Sequence, residues 1–106
     1  MWGDVIFMPK KRYTMKSKVW LYPGMSGWHF VGIAKNHSQD IKKKYGALAK
    51  GFGSIPVLVT LGKTKWSTSI FPDKRTGTYL LPLKASVRKK EDVLAEDSIS
   101  FSILIM

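Results

Sequence analysis

The sequence predicts a mainly β protein: a six-stranded, mostly antiparallel closed barrel built from two pseudo-repeated ββαβ halves with two short helices. Three observations carry this. Trp66 to Lys84 reads as two β-rich runs joined by a loop of Pro, Asp, Lys, Arg, Thr and Gly, the turn chemistry of a hairpin. That stretch occurs twice. Leu21-Tyr22-Pro23 returns 49 residues later as Ile70-Phe71-Pro72, Phe30-Val31 as Tyr79-Leu80, and Lys35 as Lys84. The runs that end each half, Ile55 onward and Ile99 onward, also correspond, at an offset of 44 because the second half has the shorter helix and loop. Helices this short cannot link the strands of a large parallel sheet, and closure removes exposed edges while alternating side chains fill the interior.

Each element has its own signal. Tyr13 to Leu21 alternates, with Tyr13, Met15, Val19 and Leu21 on one face and Thr14, Lys16 and Lys18 on the other. Pro23-Gly24-Met25-Ser26-Gly27 forms the turn, and Trp28 to Ala34 follows as a strand apolar on both faces. Asn36 is placed as the N-cap of a helix, with Gln39 completing a capping box. Ile41, Tyr45 and Leu48 form its buried stripe, which leaves Lys42, Lys43 and Lys44 in water, and the helix ends near Gly46. Lys50-Gly51-Phe52-Gly53-Ser54 is a loop whose glycines permit positive φ. Ile55, Val57, Val59 and Leu61 point inward, Gly62-Lys63 turns, and Trp66, Thr68 and Ile70 continue. After the second hairpin come Tyr79, Leu81 and Leu83, then a short helix from Ala85 to Lys90. In the last strand Ile99, Phe101, Ile103 and Ile105 alternate with serines.

The chain of 106 residues is one domain, large enough for a core without staples. Its organisation reads as a basic N-terminal arm, residues 1–12, and a single barrel domain, residues 13–106. The arm has no period; it is a frayed end, a tether, or an edge strand at Val5-Ile6-Phe7. Cys is absent, which excludes disulfides, thiolate nucleophiles and cysteine zinc sites. No apolar run reaches the ~20 residues of a membrane span, and the N-terminus has the wrong order for a secretory signal, so cytoplasmic residence is the default expectation. The net charge is +11, and between Lys10 and Lys90 all 18 cations face only Asp40 and Asp73. Such a field attracts polyanions whether or not that is its role.

Taken in order, Tyr22-Pro23-Gly24, Gly27-Trp28-His29-Phe30-Val31, Gly51-Phe52-Gly53-Ser54-Ile55, Trp66 through Asp73, Gly77 through Lys84, and Val87-Arg88 resemble a bacterial family of small barrels, domain of unknown function 1905. The likeness runs from about Tyr13 to Ile105; it implies a double-split β-barrel and no particular activity. Where that family usually has Leu-Pro after the second strand, this chain has Ile33-Ala34-Lys35, so the first hairpin is the more drifted copy. A weaker similarity joins Leu81 to Lys90 and Ala95 to Ile99 to swapped-hairpin DNA-binding barrels of the AbrB and antitoxin type, which implies shared architecture before shared activity.

Catalytic constellations are poor. His29 lies in an aromatic strand and reads as a packed wall residue, His37 opens a helix and reads as solvated, and Asp73 serves its turn. Glu91-Asp92 and Glu96-Asp97 read as solvated turn residues, and Gly51-x-Gly53 lacks the rest of a phosphate loop. No metal site or cofactor is expected, and the protein is expected to be no enzyme. Lys84 and Arg88 are better placed: with Ser69 nearby and a helix starting at Ala85, they suit a phosphate or carboxylate. The competing reading ties both cations to Glu96 or Asp97. For nucleic acid the candidates are Lys16, Lys18, Lys42, Lys43, Lys44, Lys74 and Arg75, with Trp20 and Tyr22 on the outward parity of their strand as stacking surfaces. Lys10, Lys11 and Arg12 add charge, and Trp28, Trp66 and Phe71 add rings if exposed. The expected function is therefore a non-enzymatic binding module, its leading ligand nucleic acid or another polyanion. The alternatives are a small-molecule or enzymatic pocket at Lys84, Arg88 and Ser69, or a protein-interaction domain. A monomer is slightly favoured.

Overall fold

The computed structural model describes residues 11–24 and 27–106. The expected edge strand at Val5-Ile6-Phe7, Lys10 and the Met25-Ser26 tip of the first turn lie outside these. Seven strands and two α-helices run in the order β1 (Arg12–Lys18), β2 (Trp20–Leu21), β3 (His29–Gly32), α1 (Lys35–Tyr45), β4 (Ile55–Leu61), β5 (Thr64–Asp73), β6 (Thr78–Pro82), α2 (Ala85–Glu91) and β7 (Ser98–Ile105). All pairings are antiparallel, and the sheet runs β1-β7-β4-β5-β6-β3-β2. Arg12, assigned to the arm by the sequence, is the first residue of β1.

This corrects the expected six-stranded closed barrel. The sheet is an open half-barrel with β1 and β2 as its two edges, and no ladder joins them. The seventh strand arises at Val19. Its N–H donates to the Asp97 carbonyl at 2.8 Å and its carbonyl accepts from Glu96 N–H at 2.7 Å, so the loop before β7 takes both backbone groups. The chain therefore leaves β7 after Lys18 and pairs with β3 from Trp20. In the other half β5 makes the same change of partner without interruption, pairing with β4 through Ile70 and with β6 from Phe71. The break also moves Leu21, expected inside, to the surface, where it is 50% exposed.

The doubling itself is visible in the pairing. Exchanging β1/β2 with β5, β3 with β6 and β4 with β7 maps every strand pairing onto another pairing of the sheet. The two halves meet along β3–β6, where Val31 faces Leu81, and along β4–β7, where Val59 faces Ile103. All four of these side chains are fully buried. Burial alternates strictly along β4, and Ile99, Phe101, Ile103 and Ile105 of β7 are inside, as the period of two requires. Each helix closes the core with one apolar residue of its first turns, Ile41 from α1 and Val87 from α2.

The start of α1 differs from the expectation. Ala34, not Asn36, is the N-cap, and no side chain caps it. Ser38 instead turns inward. Its Oγ donates to the Ile33 carbonyl and accepts from Tyr79 N–H, both at 3.0 Å, which ties the helix to β6. Gly46 ends α1, so Leu48 falls in a separate 3-10 turn, Gly46–Leu48, and is exposed rather than part of the stripe. In the next 3-10 turn, Gly51–Gly53, positive φ is taken by Gly53 and also by Phe52, whose side chain is fully in solvent. His37, expected in water, is half-buried and meets Tyr13 edge to face at 5.2 Å. The Tyr13 hydroxyl donates to Asp40 Oδ2 at 2.6 Å, and Lys11 and Lys44 approach the same carboxylate at 3.2 and 3.3 Å. Among the described residues no helix is long and apolar enough to cross a membrane.

Candidate anion-binding site

Two concavities open beside the two helices and share three repeat-equivalent positions, Trp28 and Gly77, His29 and Thr78, and Arg88 and Gln39. The larger, about 630 Å³, lies where β6 runs into α2. Pro82, Leu83, Lys84, Ala85 and Arg88 form one wall. Trp66, Ser67, Thr68 and Phe71 of β5 form the opposite wall, and Gly27, Trp28 and His29 close the third side. Pro82 ends β6, so the chain turns there and Lys84 enters α2 extended (φ −69°, ψ 155°).

Arg88 is fixed by backbone on both sides. Its Nε donates to the Leu83 carbonyl at 3.0 Å and Nη2 reaches the Gly27 carbonyl at 3.5 Å, the second a long contact. The guanidinium thus spans from α2 to the first hairpin and retains donors for a ligand. Lys84 is exposed. Among the described residues no carboxylate forms an ion pair with either side chain. The alternative in which Glu96 or Asp97 neutralises them is therefore overturned: Glu96 pairs with Lys18 at 3.2 Å, and Asp97 Oδ2 accepts from Leu94 N–H at 2.8 Å. Ser69 is also displaced from the expectation. It stands opposite Pro56 in the β4 ladder, and Ser67 and Thr68 line the cavity in its stead.

The apolar walls were less legible. Trp28 is 51% exposed and Phe71 40% exposed, unusual for large rings in so small a protein. Trp66 is buried in the core, with part of its surface turned to the cavity. His29 is half-buried and its Nδ1 lies 2.9 Å from the Gly27 carbonyl, so it helps to shape the mouth. Sequence parity could not single out these residues, because the cavity takes Trp66 and Thr68 from one parity of β5 and Ser67 and Phe71 from the other.

The rings of the first hairpin continue from the cavity as a contiguous strip. Trp28 stacks on Phe30 (centroids 5.9 Å, planes 26° apart), and Phe30 touches both Trp20 at 5.7 Å and Tyr22 at 5.5 Å. Trp20 and Tyr22 stack at 5.6 Å; both are half-buried where strand parity had suggested outward rings, and Leu21 between them is the exposed residue. The Arg75 guanidinium lies 4.8 Å from the Tyr22 ring.

The remaining candidate cations are dispersed. Lys16 is exposed on β1 opposite Ser100, far along the sheet order from the hairpin, and Lys18 is paired. Lys44 is paired with Asp40, whereas Lys43 is exposed. Lys42 and Lys74 line the smaller concavity of about 430 Å³, together with Gln39, Asp73, Gly77 and Thr78. Arg75 Nε lies 3.6 Å from Asp73 Oδ1. Arg12 donates to Ser102 Oγ at 3.1 Å.

None of the curated proteins compared matches the chain. A family model does match, over residues 16–103, which takes in both hairpins, both helices and the whole of the larger cavity. By that match the chain belongs to the family described as Domain of unknown function (DUF1905).

Proposed function

We propose that the protein is a non-enzymatic binding module for an anionic ligand, with nucleic acid the leading candidate, and that the ligand's acidic group docks at Lys84 and Arg88. The observation that carries this is the pairing of two cations free of carboxylate partners with exposed aromatic walls in one cavity. Arg88 is held in place by carbonyls before any ligand arrives, so little ordering is needed on binding. The excess of cations adds long-range attraction for polyanions. Likeness of the second half to AbrB-type barrels is a further, weaker support. Titration of fluorescently labelled single strands and duplexes at low and moderate salt tests the proposal. Binding should be present at low salt and fall steeply as salt rises, because each phosphate contact releases counterions. Absence of binding at low salt would refute it.

A second reading is favoured by the cavity's size, which lies in the range of small-molecule sites. In it the occupant is a small acid with an aromatic or aliphatic body between Trp28 and Phe71. A short aromatic carboxylate or mononucleotide that quenches tryptophan fluorescence, and is not displaced by oligonucleotide, would select this reading over the polymer.

A further inference from the structure

Resting on that anion-binding reading, we infer that the nucleic acid it fits is single-stranded, with one base seated in the cavity against the exposed rings of Trp28 and Phe71 and its phosphate on Lys84 and Arg88. The inference comes from the arrangement of rings and cations together. Within the cavity Trp28 and Phe71 expose ring surface beside Lys84 and Arg88, while Phe30, Trp20 and Tyr22 pack behind Trp28 and the Arg75 guanidinium lies over Tyr22. Phe30 is buried beneath the strip and holds the outer rings in position, while Trp28 offers half of its surface to solvent. A strand entering there sets a base against these rings and its phosphate on the two cations.

A duplex cannot use this surface. Its bases are already stacked on one another, and their π-faces reach a protein ring only when the strand is open or a base is turned out. Base–aromatic stacking is tolerant of sequence because every base has a π-face. The basic face of α1, with Lys42 and Lys43 exposed, is the feature that would instead favour a duplex, and it lies at the other cavity.

The test uses the full chain and three labelled probes: thymidine monophosphate, an oligothymidylate of about eight nucleotides, and a hairpin duplex of similar charge. Expected is tightest binding of the oligothymidylate, with affinity rising with length until about four nucleotides and then levelling. Trp28→Ala should weaken it roughly 5- to 100-fold, and Trp28→Phe should restore most of the loss. Because Trp28 is half in solvent, these variants should keep the parent's unfolding midpoint, which thermal denaturation monitors. Equal or tighter duplex binding, or indifference to Trp28→Ala, overturns the single-strand inference and leaves the anion site standing. So does thymidine monophosphate binding as tightly as the oligomer. No binding of any probe at low salt removes both.

Discussion

The two cavities lie beside the two helices yet differ in chemistry. At the start of α2 are Lys84 and Arg88, which share a cavity with Trp28 and His29; of the corresponding positions, Gln39, Gly77 and Thr78 line the other cavity, and Lys35 is not among its lining residues. The first-half cavity contains Asp73, which sits beside Arg75, while the second-half cavity has no carboxylate among its lining residues. One backbone unit, used twice, thus gives a cationic aromatic recess at one end and a mixed polar one at the other. The walls differ as well as the side chains, because β5 lines the second recess through Trp66, Ser67, Thr68 and Phe71, whereas Gly46, Ala49, Gly53 and Pro72 to Lys74 line the first.

The buried residue behind each helix start differs as well, and it provides the largest expected effect. Ser38 on α1 corresponds to Val87 on α2, and both are buried. Ser38→Val should destabilise the protein by about 2 kcal/mol, because it takes from Tyr79 N–H and the Ile33 carbonyl a partner that α1 alone supplies. Urea denaturation measures it, and a loss below a few tenths of a kcal/mol would mean that the two helix ends are packed alike. Next in size is a comparison of binding. Lys84→Gln should weaken oligothymidylate several-fold and lower the slope of log K against log salt by about 0.7, whereas Lys35→Gln should change both little. Equal effects of the two would show that the charge acts as a diffuse field and not through the second cavity.

The smallest effect distinguishes the electrostatics of the first half. The Asp40 carboxyl is lowered from its ordinary 3.8 to about 2, chiefly by the Tyr13 hydroxyl and then by Lys11 and Lys44, with partial burial opposing. A carboxylate favoured by the fold contributes stability above its ordinary value, and that contribution is lost as pH falls from about 4 through about 2. Tyr13→Phe should move the Asp40 midpoint, followed by NMR, back toward 3.8 and shrink this acid dependence. A midpoint that stays near 2 in the variant would assign the shift to the lysines alone.

Much of the fold was legible because period-two burial is a local property. Ile55 to Leu61 and Ile99 to Ile105 announce their inward sets in sequence, and the repeat of Leu21-Tyr22-Pro23 as Ile70-Phe71-Pro72 announces the doubling. The break at Val19 was not legible, since it is made by the carbonyl of Asp97 and the N–H of Glu96, distant in the chain. Nor was the cap of α1, where Asn36 has good local chemistry and Ser38 has better tertiary partners. Of the candidate site, Lys84 and Arg88 could be found from their spacing. Ser69 could not be told from Ser67, because residues two apart share one face of β5 and only the tertiary position of the cavity separates them.

The amino-acid sequence by itself determined a doubled, mainly antiparallel β protein with a strong excess of cations, since side-chain alternation, turn residues and charge act over a few neighbouring residues. Tertiary structure alone decided that the sheet stays open with seven strands, and that Trp28, Phe71, Lys84 and Arg88 share one recess. Those outcomes depend on backbone hydrogen bonds and packing between segments far apart in the chain, which no local pattern encodes.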